Sequence, residues 1–136
     1  MRVFKFRGKS IETGKWVYGD LIHRHLQNPA IQEIKPARGS AATYITWTVD
    51  PETVSQFTGA YDYDGKEIYE NDILKHIKTG YVECIEWDNN YFCHVIKGNE
   101  AYNDCAIVKS HNYRIIGNSY DNPELAEEDE DEDNQI

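Results

Sequence analysis

Short apolar segments, each closed after a few residues by Gly, Asn or Asp, most narrow what this 136-residue chain can fold into. Tyr44 to Val49 reads Tyr-Ile-Thr-Trp-Thr-Val, dense in the β-branched and aromatic residues that fit a pleated, half-buried surface. Arg2 to Arg7 alternates around Val3, Phe4 and Phe6, and Trp16 to Ile22 is a second, more apolar strand, with Thr13-Gly14 as the hairpin turn before it. A short strand is expected near Ile31 to Ile34, within an otherwise polar stretch broken by Pro29, Pro36 and Gly39. The second half continues in the same way. Strands are expected at Asp72–Ile77, Tyr81–Trp87, Tyr91–Ile96, Cys105–Val108 and Tyr113–Ile116, with turns at Lys78-Thr79-Gly80, Asp88-Asn89-Asn90 and Lys97 to Glu100. Strands recurring at roughly eight-to-twelve-residue spacing mark a mainly β chain, a small barrel or sandwich. A turn or a single helical turn is expected at Asp50-Pro51-Glu52-Thr53, and one short C-terminal helix capped by Asn122 with Pro123 at its first position.

The stretch Phe57 to Leu74 ties the two halves together. It sets two glycines, five acidic residues and three tyrosines between apolar anchors. Asp64-Gly65 is a strong turn signal, because Gly accepts positive φ and Asp bonds its own backbone. The carboxylates of Asp62, Asp64, Glu67, Glu70 and Asp72 suggest a metal loop, but a calcium loop with Gly65 sixth would start at Ala60 and end at Asn71. Neither supplies the carboxylate such a loop requires. Solvated acids in a structural loop fit better. His23 and His25 sit at strand spacing and could share a metal on one face, yet no third ligand stands near them in sequence.

These residues also resemble the YopX-like family, found mainly in bacteriophages and prophages. The matching strings are Phe57-Thr58-Gly59, Asp62, Gly65-Lys66-Glu67-Ile68-Tyr69-Glu70 and Asp72-Ile73-Leu74. Asn71 departs from the family's usual Gly, and Asn is the side chain that best tolerates the left-handed region. Phe6-Arg7-Gly8-Lys9, the run Gly14 to Leu21, and Gly117-Asn118-Ser119-Tyr120-Asp121-Asn122-Pro123-Glu124-Leu125 are similar to the family's opening and closing strings. The resemblance implies structural roles for Thr58, Gly59, Gly65, Asp72, Gly117 and Asn118. With the strand order, it implies an SH3-type barrel over about residues 57–120, after an N-terminal β region over about residues 1–56. One domain, 1–125, is expected. The resemblance brings no reaction or ligand with it.

Charge restricts the function classes. The net charge of −10 is concentrated at the C-terminus. Eight of the 24 acidic residues lie between Glu124 and Ile136, where no base occurs, so sixteen acids face fourteen bases in residues 1–123, a net −2. Residues 126–136 are expected to be a disordered acidic tail. Residues 1–40 hold eight bases against three acids. Three cysteines, Cys84, Cys93 and Cys105, are odd in number and lack the spacing of a zinc knuckle, and Cys84 reads as a small core residue. No apolar run approaches the roughly eighteen residues of a membrane span, and residues 1–7 lack a signal peptide's apolar region, so a cytoplasmic protein is expected.

No nucleophile elbow, phosphate loop or His-Glu-x-x-His occurs, and neither catalysis nor a cofactor is expected. The first functional expectation is a protein-interaction module using Trp16, Tyr18, Tyr61, Tyr63, Tyr69 and Trp87. The plain alternative for Trp16, Tyr69 and Trp87 is core packing. The second is nucleic-acid binding through a basic patch of Arg2, Lys5, Arg7, Lys9 and Lys15 with interleaved Phe4, Phe6 and Trp16, masked by the acidic tail. Self-association fits a chain with this many aromatics.

Overall fold

The computed structural model describes residues 3–36, 39, 41–88, 91–96, 103–104 and 111–126, and side chains are described up to Glu86 and again from His111 to Leu125. The chain divides into two compact units, Met1–Phe57 and Thr58–Ile136. Both are built of antiparallel strands.

In the first unit, β1 (Phe6–Lys9), β2 (Trp16–Ile22), β3 (Ala30–Pro36) and β4 (Ala42–Thr48) are followed by a 3-10 turn (Pro51–Thr53) and the start of β5 (Ser55–Tyr61). The spatial order is β4-β3-β2-β1-β5. Opposite residues share a face, so the register sorts the side chains into two sets. Val17, Ile31 and Val49 form the buried core, with Phe6, Leu21, Trp47 and Val54 packed against them. Gly19 lets β2 and β3 approach: a Cβ there would stand 2.0 Å from the Gln32 carbonyl oxygen. The turn before β5 forms as its sequence predicts, with the Asp50 side chain accepting from Glu52 N–H at 3.0 Å.

In the second unit, the end of β5 lies beside β6 (Glu67–Tyr69), and a five-stranded sheet follows the order β10-β9-β8-β7-β11. Its members are β7 (Asp72–His76), β8 (Val82–Asp88), β9 (Tyr91–Ile96), β10 (Asn103–Asp104) and β11 (Tyr113–Asn118). The short helix α1 (Pro123–Ala126) comes after β11. Ile68, Leu74, Ile85 and Tyr113 make this unit's core, flanked by Ala60 and Ile115.

Several expectations change. Among the described residues the five-stranded sheet has two ends, β10 and β11, rather than the closed ring of a barrel. Val3 to Lys5 lie outside β1, which begins only where Phe6 finds Gly19 and Gln56 as partners. β2 stops at Ile22, leaving His23 beyond the strand and His25 in a turn, so strand alternation does not align their imidazoles. β3 extends past the expected Ile31–Ile34 because seven consecutive residues pair with β4. Asn122 turns its Oδ1 back to the Asn118 N–H (3.3 Å), serving the preceding loop. Arg2, the strand at Cys105–Val108, the turn at Lys97 to Glu100 and the tail from residue 127 lie outside the described residues.

Candidate functional site

The outer face of the first unit's sheet carries the richest chemistry among the described residues. Lys9 stands opposite Trp16, Arg7 opposite Tyr18, Asp20 opposite Gln32, and Ile34 opposite Tyr44. Cations, aromatics and one aliphatic side chain therefore share the side of the sheet that faces away from the core. A groove of ≈ 510 Å³ opens on this face. Phe4, Trp16, Tyr18 and Ile34 supply much of its apolar lining, and Lys5, Asp20 and Gln32 polar groups. Phe4, Tyr18, Ile34 and Tyr44 are all exposed. That volume lies within the range of roughly 300–1,000 Å³ typical of ligand clefts.

Electrostatics modify the basic patch expected here. The Arg7 guanidinium lies over the Trp16 ring at 4.6 Å, and the Lys9 ammonium at 5.6 Å. Such contacts are worth about 0.5–2 kcal/mol and order the indole between two cations. Arg7 is only 5 % exposed, so it acts inside the sheet instead of as a surface charge. Lys5 and Lys9 are half-buried, and Lys15 is exposed in the turn before β2. The Glu33 carboxylate turns to the core side of the sheet, where it accepts the Trp47 indole N–H at 3.2 Å and meets Lys35 at 3.8 Å.

The candidates of the second unit fall into different environments. Tyr61 and Tyr63 are exposed, and Arg114 covers the Tyr63 ring at 4.9 Å while meeting Asp64 at 3.2 Å. Tyr69 is a correction to the list of surface aromatics. At 2 % exposure it is a core residue, its hydroxyl donating to Glu67 (3.0 Å) and its backbone N–H to Asp72 (2.8 Å). Trp87 stands opposite Phe92 in β8, and its side chain lies outside the described residues.

The acidic loop is architecture. Asp62, 4 % exposed, accepts backbone N–H groups from Asp64 (2.9 Å), Lys66 (2.9 Å) and Ile115 (3.1 Å). One carboxylate thereby closes the turn and fastens it to β11. Thr58 donates its hydroxyl to the Ile68 carbonyl (2.8 Å), and Gly59 and Gly65 take positive φ. Asn71 also adopts positive φ, 72°. At the chain's end, Gly117 makes room for Asn122, whose Oδ1 would lie 2.4 Å from an added Cβ. Asn118 Oδ1 accepts from Tyr120 and Asp121 N–H at 3.0 and 2.9 Å.

The Cys84 thiol is pushed up from 9.0 to about 12, first by burial and then by the carboxylates of Glu86 and Asp72. It stays protonated at neutral pH and lacks the thiolate a nucleophile needs. Among the described residues no three His, Cys, Asp or Glu side chains gather as a metal site, and no helix is long and apolar enough to cross a membrane.

Sequence reading missed Ile34, Gln32 and Tyr44 as companions of Trp16 and Tyr18. Only the pairing of β2 with β3 and β3 with β4 joins them.

The same architecture is found elsewhere. The crystal structure of protein EF1440 from Enterococcus faecalis superposes with a TM-score of 0.60 at 19% sequence identity, covering 93% of this chain and 99% of that one. At that identity the likeness establishes the fold alone. Among curated proteins, none matches the chain. The family model of the YopX protein matches residues 5–127, which spans both units and the strings at both ends, and the chain therefore belongs to the YopX family.

Proposed function

We propose that this protein is a non-enzymatic interaction module of phage or prophage origin that acts in the cytoplasm and binds an extended segment of a partner protein along the outer groove of its first unit. The observation that carries this reading is the groove's mixed lining. Phe4, Trp16, Tyr18 and Ile34 offer apolar walls, while Lys5 and Asp20 bring one charge of each sign to the lining. A peptide presents apolar side chains and both charge signs, and matches such a lining. A phosphate backbone presents one sign only. Arg7 and Lys9 sit over Trp16, which withdraws two members of the basic patch from the nucleic-acid reading.

The test is affinity capture from host-cell extract with and without nuclease, using the wild type, Ile34→Lys and Tyr18→Ser. A protein retained after nuclease and lost with both variants is the expected result. Retention of nucleic acid alone, or a partner held equally by the variants, would overturn the reading.

A further inference from the structure

We propose that β4 is a self-association edge, along which two copies of this chain pair antiparallel into one continuous sheet. β4 is an end strand of its sheet. Its backbone polarity follows from two bonds at its C-terminal end. Val49 N–H donates to the Pro29 carbonyl on the β3 side (3.0 Å), whereas the Thr48 carbonyl turns the other way and accepts from Ile11 N–H (2.9 Å). Successive residues of a strand direct these groups to opposite sides. Ala42, Tyr44 and Thr46 therefore turn their N–H and C=O groups outwards, and among the described residues only the Thr48 end of that row is met, by Ile11.

Natural sheets blunt an open edge with charge, proline, a bulge, short length or a covering loop. The other sheet ends of this protein show those devices. β10 has two residues and β6 three. β11 is covered by the loop between β5 and β6, where Tyr63 N–H donates to the Tyr113 carbonyl, Asp62 accepts from Ile115 N–H, and Arg114 meets Asp64. From Ala42 to Thr46, short of the end that Ile11 covers, β4 has none of them among the described residues. Ala42-Thr43-Tyr44-Ile45-Thr46-Trp47-Thr48 contains no charge, proline or glycine, and its register with β3 is unbroken over seven residues.

The strand is also complementary to itself. With Ile45 on a two-fold axis, Tyr44 of one copy stands opposite Thr46 of the other, and Thr43 opposite Trp47. Tyr44 and Thr46 both turn their backbone groups outwards, so each such pair can exchange two hydrogen bonds. Aromatic residues meet β-branched ones, a favourable cross-strand pairing. Two copies of a chain with net charge −10 repel, and this strand brings no charge to the contact. The interface is isologous and closes at two copies. A single strand pair is a smaller contact than the roughly 800 Å² per partner of a standard interface, so the dimer is concentration-dependent.

Sedimentation equilibrium of the full-length chain tests this, over a wide concentration range, with Thr46→Pro and Thr46→Lys beside the wild type. Proline at position 46 removes an outward N–H and no bond to β3, as edge strands allow. The expected result is a wild type that moves to twice the chain mass as concentration rises, and two variants that lose the dimer. A wild type monomeric throughout, or a dimer that survives both variants, overturns the proposal. Should the variants fail to fold, amide exchange in the wild type decides instead. Protection of the Tyr44 and Thr46 N–H groups that grows with concentration supports the edge, and protection independent of concentration overturns it.

Discussion

Asp62 and Cys84 show how single side chains set local stability. Asp62 satisfies three backbone N–H groups, two in its own turn and one in β11. Hydrogen bonds to a charged acceptor are worth about 1.5–3 kcal/mol each, and they are not additive. Asp62→Ala is expected to cost about 2–4 kcal/mol, read as a lowered urea midpoint with unchanged slope. Cys84 titrates late because the thiolate would be formed in a buried place beside Glu86 and Asp72. Above pH 9.0 the unfolded thiol loses its proton while the folded one holds it, so unfolding releases a proton and stability falls as pH rises toward about 12. Below pH 9.0 this contribution is complete. Cys84→Ser is expected to flatten the alkaline limb of a stability–pH profile, and native Cys84 to resist alkylation until the chain unfolds. The turn function of Asp64-Gly65 was legible in the sequence, because Gly65 and its neighbours act locally. The use of Asp62 by Ile115, fifty-three residues away, was not.

Strands and loops depend on close approaches that only glycine allows. Gly19→Ala would drive a methyl into the Gln32 carbonyl, so β2 and β3 must separate where their register is set. A loss of about 1–3 kcal/mol is expected from such overpacking, with weakened amide protection in β3. Gly117→Ala forces the same problem on Asn122. Here a double-mutant cycle with Asn122→Ala should show coupling, because truncating Asn122 removes the nearest clashing atoms. Independent, additive losses would mean that the loop after β11 holds Gly117 for another reason. Alternation placed β2 at Trp16–Ile22 and β9 at Tyr91–Ile96, as found. It failed at Val3–Lys5, which alternate like strand residues but precede the strand, with the Lys5 carbonyl accepting from Phe57 N–H at 2.8 Å, and at Lys35–Pro36, which look like loop residues but pair with Thr43 and Ala42. Strand ends are set by partners, and partners are distant in sequence.

At the scale of the whole chain, charge separates the functional readings. Removing residues 127–136 deletes seven acids and takes the net charge from −10 to −3. If Asp20 in the groove and the stacking of Arg7 and Lys9 on Trp16 disfavour phosphate as argued, the truncated protein still fails to retain single-stranded DNA at low salt in a filter-binding assay. Tight, salt-sensitive retention would restore the masked nucleic-acid reading. By itself the sequence determined the β class, the turns at Gly14, Asp50-Pro51 and Asp64-Gly65, and family membership, because these rest on composition and on neighbours a few residues apart. Only the tertiary structure decided that Tyr69 and Arg7 are buried, that the second sheet ends at β10 and β11, and that Ile34 and Tyr44 join Trp16 and Tyr18 on one face. Those outcomes depend on which strands pair and in what register, and a shift of one residue would exchange the buried and exposed sets along the whole strand.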